Sequence, residues 1–69
     1  MTDITVRLNG SDRALAAGST VAAAVATLTT TRAGVAVAVD GVIVPRTQWP
    51  STVLTDGAEV EVLTAVQGG

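Results

Sequence analysis

The sequence predicts a single small α+β domain in which one helix packs against a sheet. Its 69 residues leave room for one domain. Valine and alanine dominate the apolar residues; valine favours strands through its branched β-carbon, and alanine favours helices. Two dipeptides typical of tight hairpin turns, Asn9-Gly10 and Asp40-Gly41, follow apolar segments. A helix between two β-hairpins is therefore the expected core of the domain.

The first hairpin is predicted from residues 4–8, which alternate apolar and polar side chains as in a half-buried strand. Asn9-Gly10 forms the turn, because both residues tolerate positive φ. A short second strand then runs back through Arg13, Ala14 and Leu15.

The helix is expected to begin after Ser19, the predicted N-cap, whose hydroxyl can accept a hydrogen bond from a free backbone N–H. Val21, Val25 and Leu28 follow at a spacing that places them on one helix face. Three threonines and Gly34 are expected to end the helix.

The second half of the chain predicts three further strands. Val35–Val39 should place valines on one face and alanines on the other, and Val42–Val44 returns after the Asp40-Gly41 turn. Pro45 ends that strand because proline cannot donate to a ladder. An irregular crossing segment over residues 45–54 and a turn at Asp56-Gly57 lead to the last strand, residues 59–63, whose apolar end favours a central position.

This order of elements, with a final strand between two hairpins, is that of the ubiquitin-like β-grasp. The prediction is a mixed sheet of five, or four, strands packed on one main helix. Residues 1–65 are expected to form the single domain, and residues 66–69 are expected to form a flexible diglycine tail.

Several classes of function are disfavoured by composition. The sequence contains no cysteine, histidine or lysine, so thiolate metal sites, histidine general bases and Schiff-base chemistry have no residues to use. We expect no metal site, no bound cofactor and no stand-alone enzyme. The net charge of −2 and four scattered arginines provide no basic patch for nucleic acid. The sequence has no apolar run long enough for a membrane span and no signal-peptide pattern, so we expect a cytoplasmic protein.

The glycines at the end of the sequence, Gly68 and Gly69, carry the main functional hypothesis. A frayed tail is the plain alternative. Without a Cβ, two glycines give a narrow and adaptable segment that can enter a tight channel. The carboxylate of Gly69 would be ionised at neutral pH and therefore a poor electrophile. A partner enzyme would have to activate it, most simply as an acyl-adenylate from MgATP, before a sulfur nucleophile converts it to a thiocarboxylate.

Over its whole length the chain resembles the ThiS family of sulfur carrier proteins of thiamine biosynthesis. The resemblance is carried by Val44-Pro45-Arg46-Thr47-Gln48-Trp49, similar to that family's Val-Pro-Arg-x-x-Trp segment, by Asp56-Gly57 and by the two terminal glycines. It implies adenylation of Gly69 by a ubiquitin-activating-like adenylyltransferase (ThiF type). It further implies sulfur supply through a cysteine desulfurase route and delivery to thiazole synthase (ThiG type).

Five residues are candidates for partner binding: Arg46, Trp49, Leu63, Val66 and Gln67. Trp49 is equally suited to anchor an interface or to cover the core. Arg46 can pair with an acidic partner or remain solvated, and Leu63 and Val66 can belong to a docking face or to the core. At Gln67 many relatives have a small residue. Glu59 and Glu61 share one strand face, where a solvated surface is a simpler interpretation than catalysis.

Other functions stay open at this point. The small sulfur-carrier subunit of molybdopterin synthase shares the fold and the diglycine end, although the Val-Pro-Arg-x-x-Trp segment argues against it. A ubiquitin-like protein modifier and a plain binding module with an inert tail are the remaining alternatives.

Overall fold

The computed structural model of the protein describes residues 2–28 and 34–64. Seven elements follow one another along the chain. They are β1 (Asp3–Leu8), β2 (Ser11–Ala16), α1 (Val21–Ala26), β3 (Val35–Val39), β4 (Val42–Val44), a 3₁₀ helix (Arg46–Ser51) and β5 (Glu59–Thr64). Within the described ranges, no helix is long and apolar enough to cross a membrane.

The five strands form one mixed sheet in the order β2-β1-β5-β3-β4. β1 pairs antiparallel with β2 and parallel with β5, while β3 pairs antiparallel with β4 and β5. The predicted β-grasp is confirmed, with five strands and with the last strand at the centre.

Both predicted hairpin turns have the expected backbone. Asn9 and Gly10 have φ of 51° and 82°, and Asp40 and Gly41 have φ of 50° and 83°. Two consecutive left-handed residues match the right-handed twist of the flanking strands. The turn chemistry therefore sets the register of both hairpins.

The core lies on one face of the sheet. Alternate residues of β1 are buried, as its sequence predicts, and in β3 Val37 is buried while Ala36 is exposed. α1 and the 3₁₀ helix cover this face. The buried apolar residues form one cluster, comprising Ile4, Val6, Leu8, Val21, Ala24, Val25, Val37, Trp49, Leu54, Ala58, Val60 and Val62.

The start and end of α1 differ from the prediction. Thr20 is the N-cap, with an extended backbone and an Oγ1 that accepts from the Ala23 N–H at 3.3 Å. Ser19 instead donates its hydroxyl proton to the Ala16 carbonyl at 2.7 Å. The helix ends at Ala26, because the Thr27 hydroxyl and backbone N–H both bond the Ala24 carbonyl. Leu28 lies beyond the helix and is exposed.

The crossing segment is more regular than expected. A 3₁₀ helix with Pro50 inside it occupies Arg46–Ser51. Pro45 enters it in an extended conformation, and its carbonyl accepts from the Gln48 N–H at 2.8 Å. Pro50 has no backbone N–H to donate, but a 3₁₀ helix of only 6 residues accommodates this loss. The helix turns Trp49 inward, towards the sheet.

Candidate functional site

The candidate tail continues directly from the central strand. β5 ends at Thr64, and five residues follow it in the sequence. Four predicted site residues, Val66, Gln67, Gly68 and Gly69, lie outside the described residues. The described part of the site is therefore β5 and the elements that hold and flank it.

β5 is held by strands on both sides. On one side, Arg7 and Leu8 of β1 pair in parallel with Glu59 and Val60. The Arg7 N–H donates to the Ala58 carbonyl at 2.8 Å, and the Asn9 N–H donates to the Val60 carbonyl at 2.9 Å. On the other side, β3 pairs with residues 60–64 over five antiparallel positions. The strand that leads to the tail is thus embedded in the sheet.

Two side chains from the hairpin turns add hydrogen bonds to β5. The Asn9 amide bonds both backbone groups of Val62: its Oδ1 accepts from the N–H at 2.8 Å and its Nδ2 donates to the carbonyl at 3.1 Å. Asp40 Oδ1 accepts from the Glu59 N–H at 2.9 Å. Sequence reasoning assigned Asn9 and Asp40 to turns only. Their contacts to β5 depend on strand pairing between residues distant in the sequence.

An apolar strip crosses the outer face of the sheet, opposite the core. Leu63 and Ile43 are each 68% exposed. The register sets Leu63 beside Ala36, and sets Ala38 between Ile43 and Glu61. Because the two alanines are small, Leu63 and Ile43 protrude from this surface. We call Ile43, Ala38, Ala36 and Leu63 the outer strip.

The carboxylates of Glu59 and Glu61 share the outer face with the strip. Both residues are exposed, as the solvated-face interpretation predicts. Among residues 2–28 and 34–64, no group of three or more acidic, cysteine or histidine side chains is arranged to hold a metal ion.

Trp49 lies on the core side, away from the outer strip. Its side chain is 1% exposed, and its Nε1 donates to the Val44 carbonyl at 2.9 Å. The structure therefore places Trp49 in the core and not on a partner-binding surface, because the 3₁₀ helix buries the ring against the sheet. Arg46, three residues earlier in the same helix, is exposed.

Comparison with known proteins identifies the family. The sequence model of the ThiS family matches residues 6–69, from β1 through the two terminal glycines. The chain belongs to the ThiS family. This membership confirms the resemblance seen in the sequence. The expectation of a small sulfur carrier of thiamine biosynthesis rests on that resemblance.

A solved structure agrees with the ThiS assignment. The crystal structure of the thiamine biosynthesis protein ThiS from Geobacter metallireducens is 25% identical in sequence, with a TM-score of 0.73. The alignment covers 96% of this chain and 100% of that one. No curated protein sequence gives a significant match.

Proposed function

We propose that this ThiS-family chain is the sulfur carrier of thiazole formation in thiamine biosynthesis, with the Gly69 carboxylate as its reactive group. The observation that carries the proposal is the family match, which extends through Gly68 and Gly69. The position of β5 supports it, because the strand immediately before the tail is the central strand of the sheet.

The proposed chemistry has two steps on the tail. A carboxylate oxygen of Gly69 attacks the α-phosphorus of MgATP in the adenylating partner, and pyrophosphate leaves. A sulfur nucleophile at the oxidation level of sulfide then attacks the acyl-adenylate carbonyl and expels AMP, leaving a thiocarboxylate. The partner supplies the activation, since an ionised carboxylate is itself unreactive towards nucleophiles. Thiazole synthase is the proposed acceptor of the sulfur.

The narrow glycines suit this chemistry. Gly68 and Gly69 present no side chain to the walls of the partner's channel and leave the terminal carbonyl open to attack. In this proposal the partner binds the folded domain, and the reacting atoms belong to the last residue.

The outer strip is the proposed docking face for the adenylating partner. It is apolar and exposed, and Leu63 lies on the strand that leads to the tail. A partner that covers Leu63 and Ile43 removes two large apolar side chains from water, and a few such residues commonly dominate an interface. Glu61, next to Ala38 in the register, adds a carboxylate beside the strip.

The carrier function is tested by intact-mass measurement after incubation with MgATP, the adenylating enzyme and a sulfur donor. The expected product has one oxygen replaced by sulfur and reacts with a thiol-directed alkylating reagent. Oxidation of Met1 changes the mass almost equally but adds no alkylatable group. A chain lacking Gly69 serves as the control and should not form the product. Failure of the full chain to form it with a demonstrably active enzyme would refute the proposal.

The docking face is tested separately, by varying the carrier concentration in the adenylation assay. Leu63→Ala should raise the KM for the carrier about fivefold or more, the effect of losing about 1 kcal/mol of binding energy. Val53→Ala is the matched control, because Val53 is 57% exposed and lies outside the outer strip. Equal KM values for both variants and the unmodified chain would exclude the outer strip as the docking face.

A further inference from the structure

β1 leaves the side of β5 before β5 ends. The parallel register between them stops at Leu8 and Val60, because the chain turns away at Asn9 and Gly10 to form β2. On its other side β5 continues to pair with β3 up to Thr64. The end of β5 nearest the tail is therefore paired with a strand on one side only.

The Asn9 side chain occupies the position that a continued β1 would fill. Its Oδ1 accepts a hydrogen bond from the Val62 N–H at 2.8 Å, and its Nδ2 donates one to the Val62 carbonyl at 3.1 Å. A carboxamide has the same donor and acceptor as a peptide unit. It therefore extends the β1 side of the ladder by one step, to within two residues of the end of β5.

This arrangement depends on the backbone of Asn9. Its φ of 51° lies in the left-handed region, which asparagine adopts more readily than most residues. The main chain can thus turn into β2 while the side chain stays directed at β5. Glycine at this position would also form the turn, but glycine has no side-chain amide that could hydrogen-bond to Val62.

We propose that Asn9 is a positioning residue for the reaction at Gly69, because its amide fixes the end of β5 from which the tail extends. The inference rests on the proposed function. Once the outer strip is docked, the direction in which β5 ends determines how often the tail enters the partner's site. Losing the amide lowers that fraction, while all four side chains of the outer strip are kept, so the effect falls on kcat more than on KM.

Asp40 provides a matched control within the same strand. It occupies the equivalent position of the other hairpin, with φ of 50°, and its carboxylate accepts from the Glu59 N–H at 2.9 Å. It therefore also holds β5 from a turn, but at the start of the strand. Substitution with glycine permits the left-handed backbone and removes the side-chain hydrogen bonds, and the added freedom of the glycine backbone is common to both variants.

The experiment measures thiocarboxylate formation at saturating MgATP with Asn9→Gly, Asp40→Gly and unmodified carrier as the varied substrate. Asn9→Gly should lower kcat about threefold to tenfold, the range expected for losing a net hydrogen bond or two, with a smaller change in KM. Asp40→Gly should leave both constants unchanged. Hydrogen exchange of the Leu63 amide, which faces β3, should accelerate in Asn9→Gly and not in Asp40→Gly. Asn9→Asp, which keeps the acceptor and loses the donor, replaces Asn9→Gly if that variant does not fold.

The outcomes separate this inference from the function on which it rests. If the unmodified chain forms no thiocarboxylate, the proposed function itself is wrong. If it does, and both glycine variants have unchanged kcat and unchanged exchange at the Leu63 amide, Asn9 has no positioning role. Equal losses of kcat in both variants would also overturn the inference, because they would reflect general destabilisation of β5.

Discussion

Replacement of Trp49 tests whether this small domain depends on a single large side chain. Trp49 is the only aromatic residue of the sequence and is among the largest fully buried side chains, at 1% exposure. Truncating a buried tryptophan to alanine typically costs about 3–5 kcal/mol. At roughly 0.05–0.15 kcal/mol per residue, a domain of this size has about 3–10 kcal/mol in total. Trp49→Ala should therefore lose about 30% of the stability or more.

The milder variant Trp49→Phe isolates part of that effect. Phenylalanine keeps an aromatic ring but leaves the Val44 carbonyl without the indole N–H that donates to it at 2.9 Å. Val44 still pairs with Val37 in the sheet, so the cost is that of one net hydrogen bond, about 0.5–1.5 kcal/mol. Since 1 kcal/mol shifts the Tm of a domain this small by about 4–8 °C, the expected decrease is about 2–12 °C.

Urea unfolding followed by far-ultraviolet circular dichroism measures both variants, because removing Trp49 also removes tryptophan fluorescence. Val42→Ala is the control: Val42 is 66% exposed, and its loss should change the free energy of unfolding by no more than about 0.5 kcal/mol. The slope of that free energy against urea should stay constant if the folded state is preserved. A loss below about 1 kcal/mol in Trp49→Ala would refute the assignment of Trp49 to the core.

Three further predictions concern capping, turn docking and local opening. Thr20→Ala should lower the free energy of unfolding by about 1 kcal/mol and weaken the helical circular dichroism signal, whereas Ser19→Ala should preserve that signal; the reverse would assign the cap to Ser19. Asp56→Ala removes the oxygen that accepts from the Thr5 N–H at 2.7 Å and should cost about 1 kcal/mol in urea unfolding; Asp56→Asn keeps an acceptor and should cost less, so equal losses would count against this bond. In native-state hydrogen exchange, the backbone amide hydrogens of β5 should exchange more slowly than those of the edge strands β2 and β4. Faster exchange in β5 would contradict its position at the centre of the sheet.

The parts of the fold that depend on local chemistry could be predicted from the sequence. The two turns follow from Asn9-Gly10 and Asp40-Gly41, since few other dipeptides take two left-handed residues in succession. The alternation in β1 and in β3 also assigned the inward and outward faces correctly. The central position of β5 was predicted from the apolar end of residues 59–63 and from the order of two hairpins followed by a final strand.

The prediction of Ser19 as the N-cap of α1 was wrong because both Ser19 and Thr20 have the local chemistry of a cap. Contacts with segments distant in the sequence decide which of the two precedes the helix. Ser19 and Thr20 can both cap a helix. The choice is made by the crossing segment: the Leu54 N–H donates to the Ser19 carbonyl at 2.8 Å, and the Val21 N–H donates to the Thr52 carbonyl at 2.9 Å. These contacts fix the path of the chain so that Thr20 is the residue that precedes the helix. Sequence periodicity carries no information about such a constraint.

The residues of the candidate site also differ in how far the sequence predicts them. Leu63 could be proposed for a docking face because it belongs to the strand before the diglycine. The burial of Trp49 could not be predicted, because it depends on the packing of the 3₁₀ helix against the sheet. The contact between Asn9 and Val62 spans 53 residues of sequence, and the Asn-Gly pair gives no sign of it beyond the turn.

β5 shows how so small a domain can separate stability from recognition. Its alternate side chains point in opposite directions: Val60 and Val62 are buried in the core, whereas Glu61 and Leu63 are exposed on the outer face. A change at an inward residue is expected to act on folding, although the outward residues are its neighbours in sequence. In the proposed function, a change at an outward residue acts on the docked partner, and the residues that follow β5 carry the reacting group. The contacts that keep the domain folded then lie on the opposite face of the sheet from the proposed docking face.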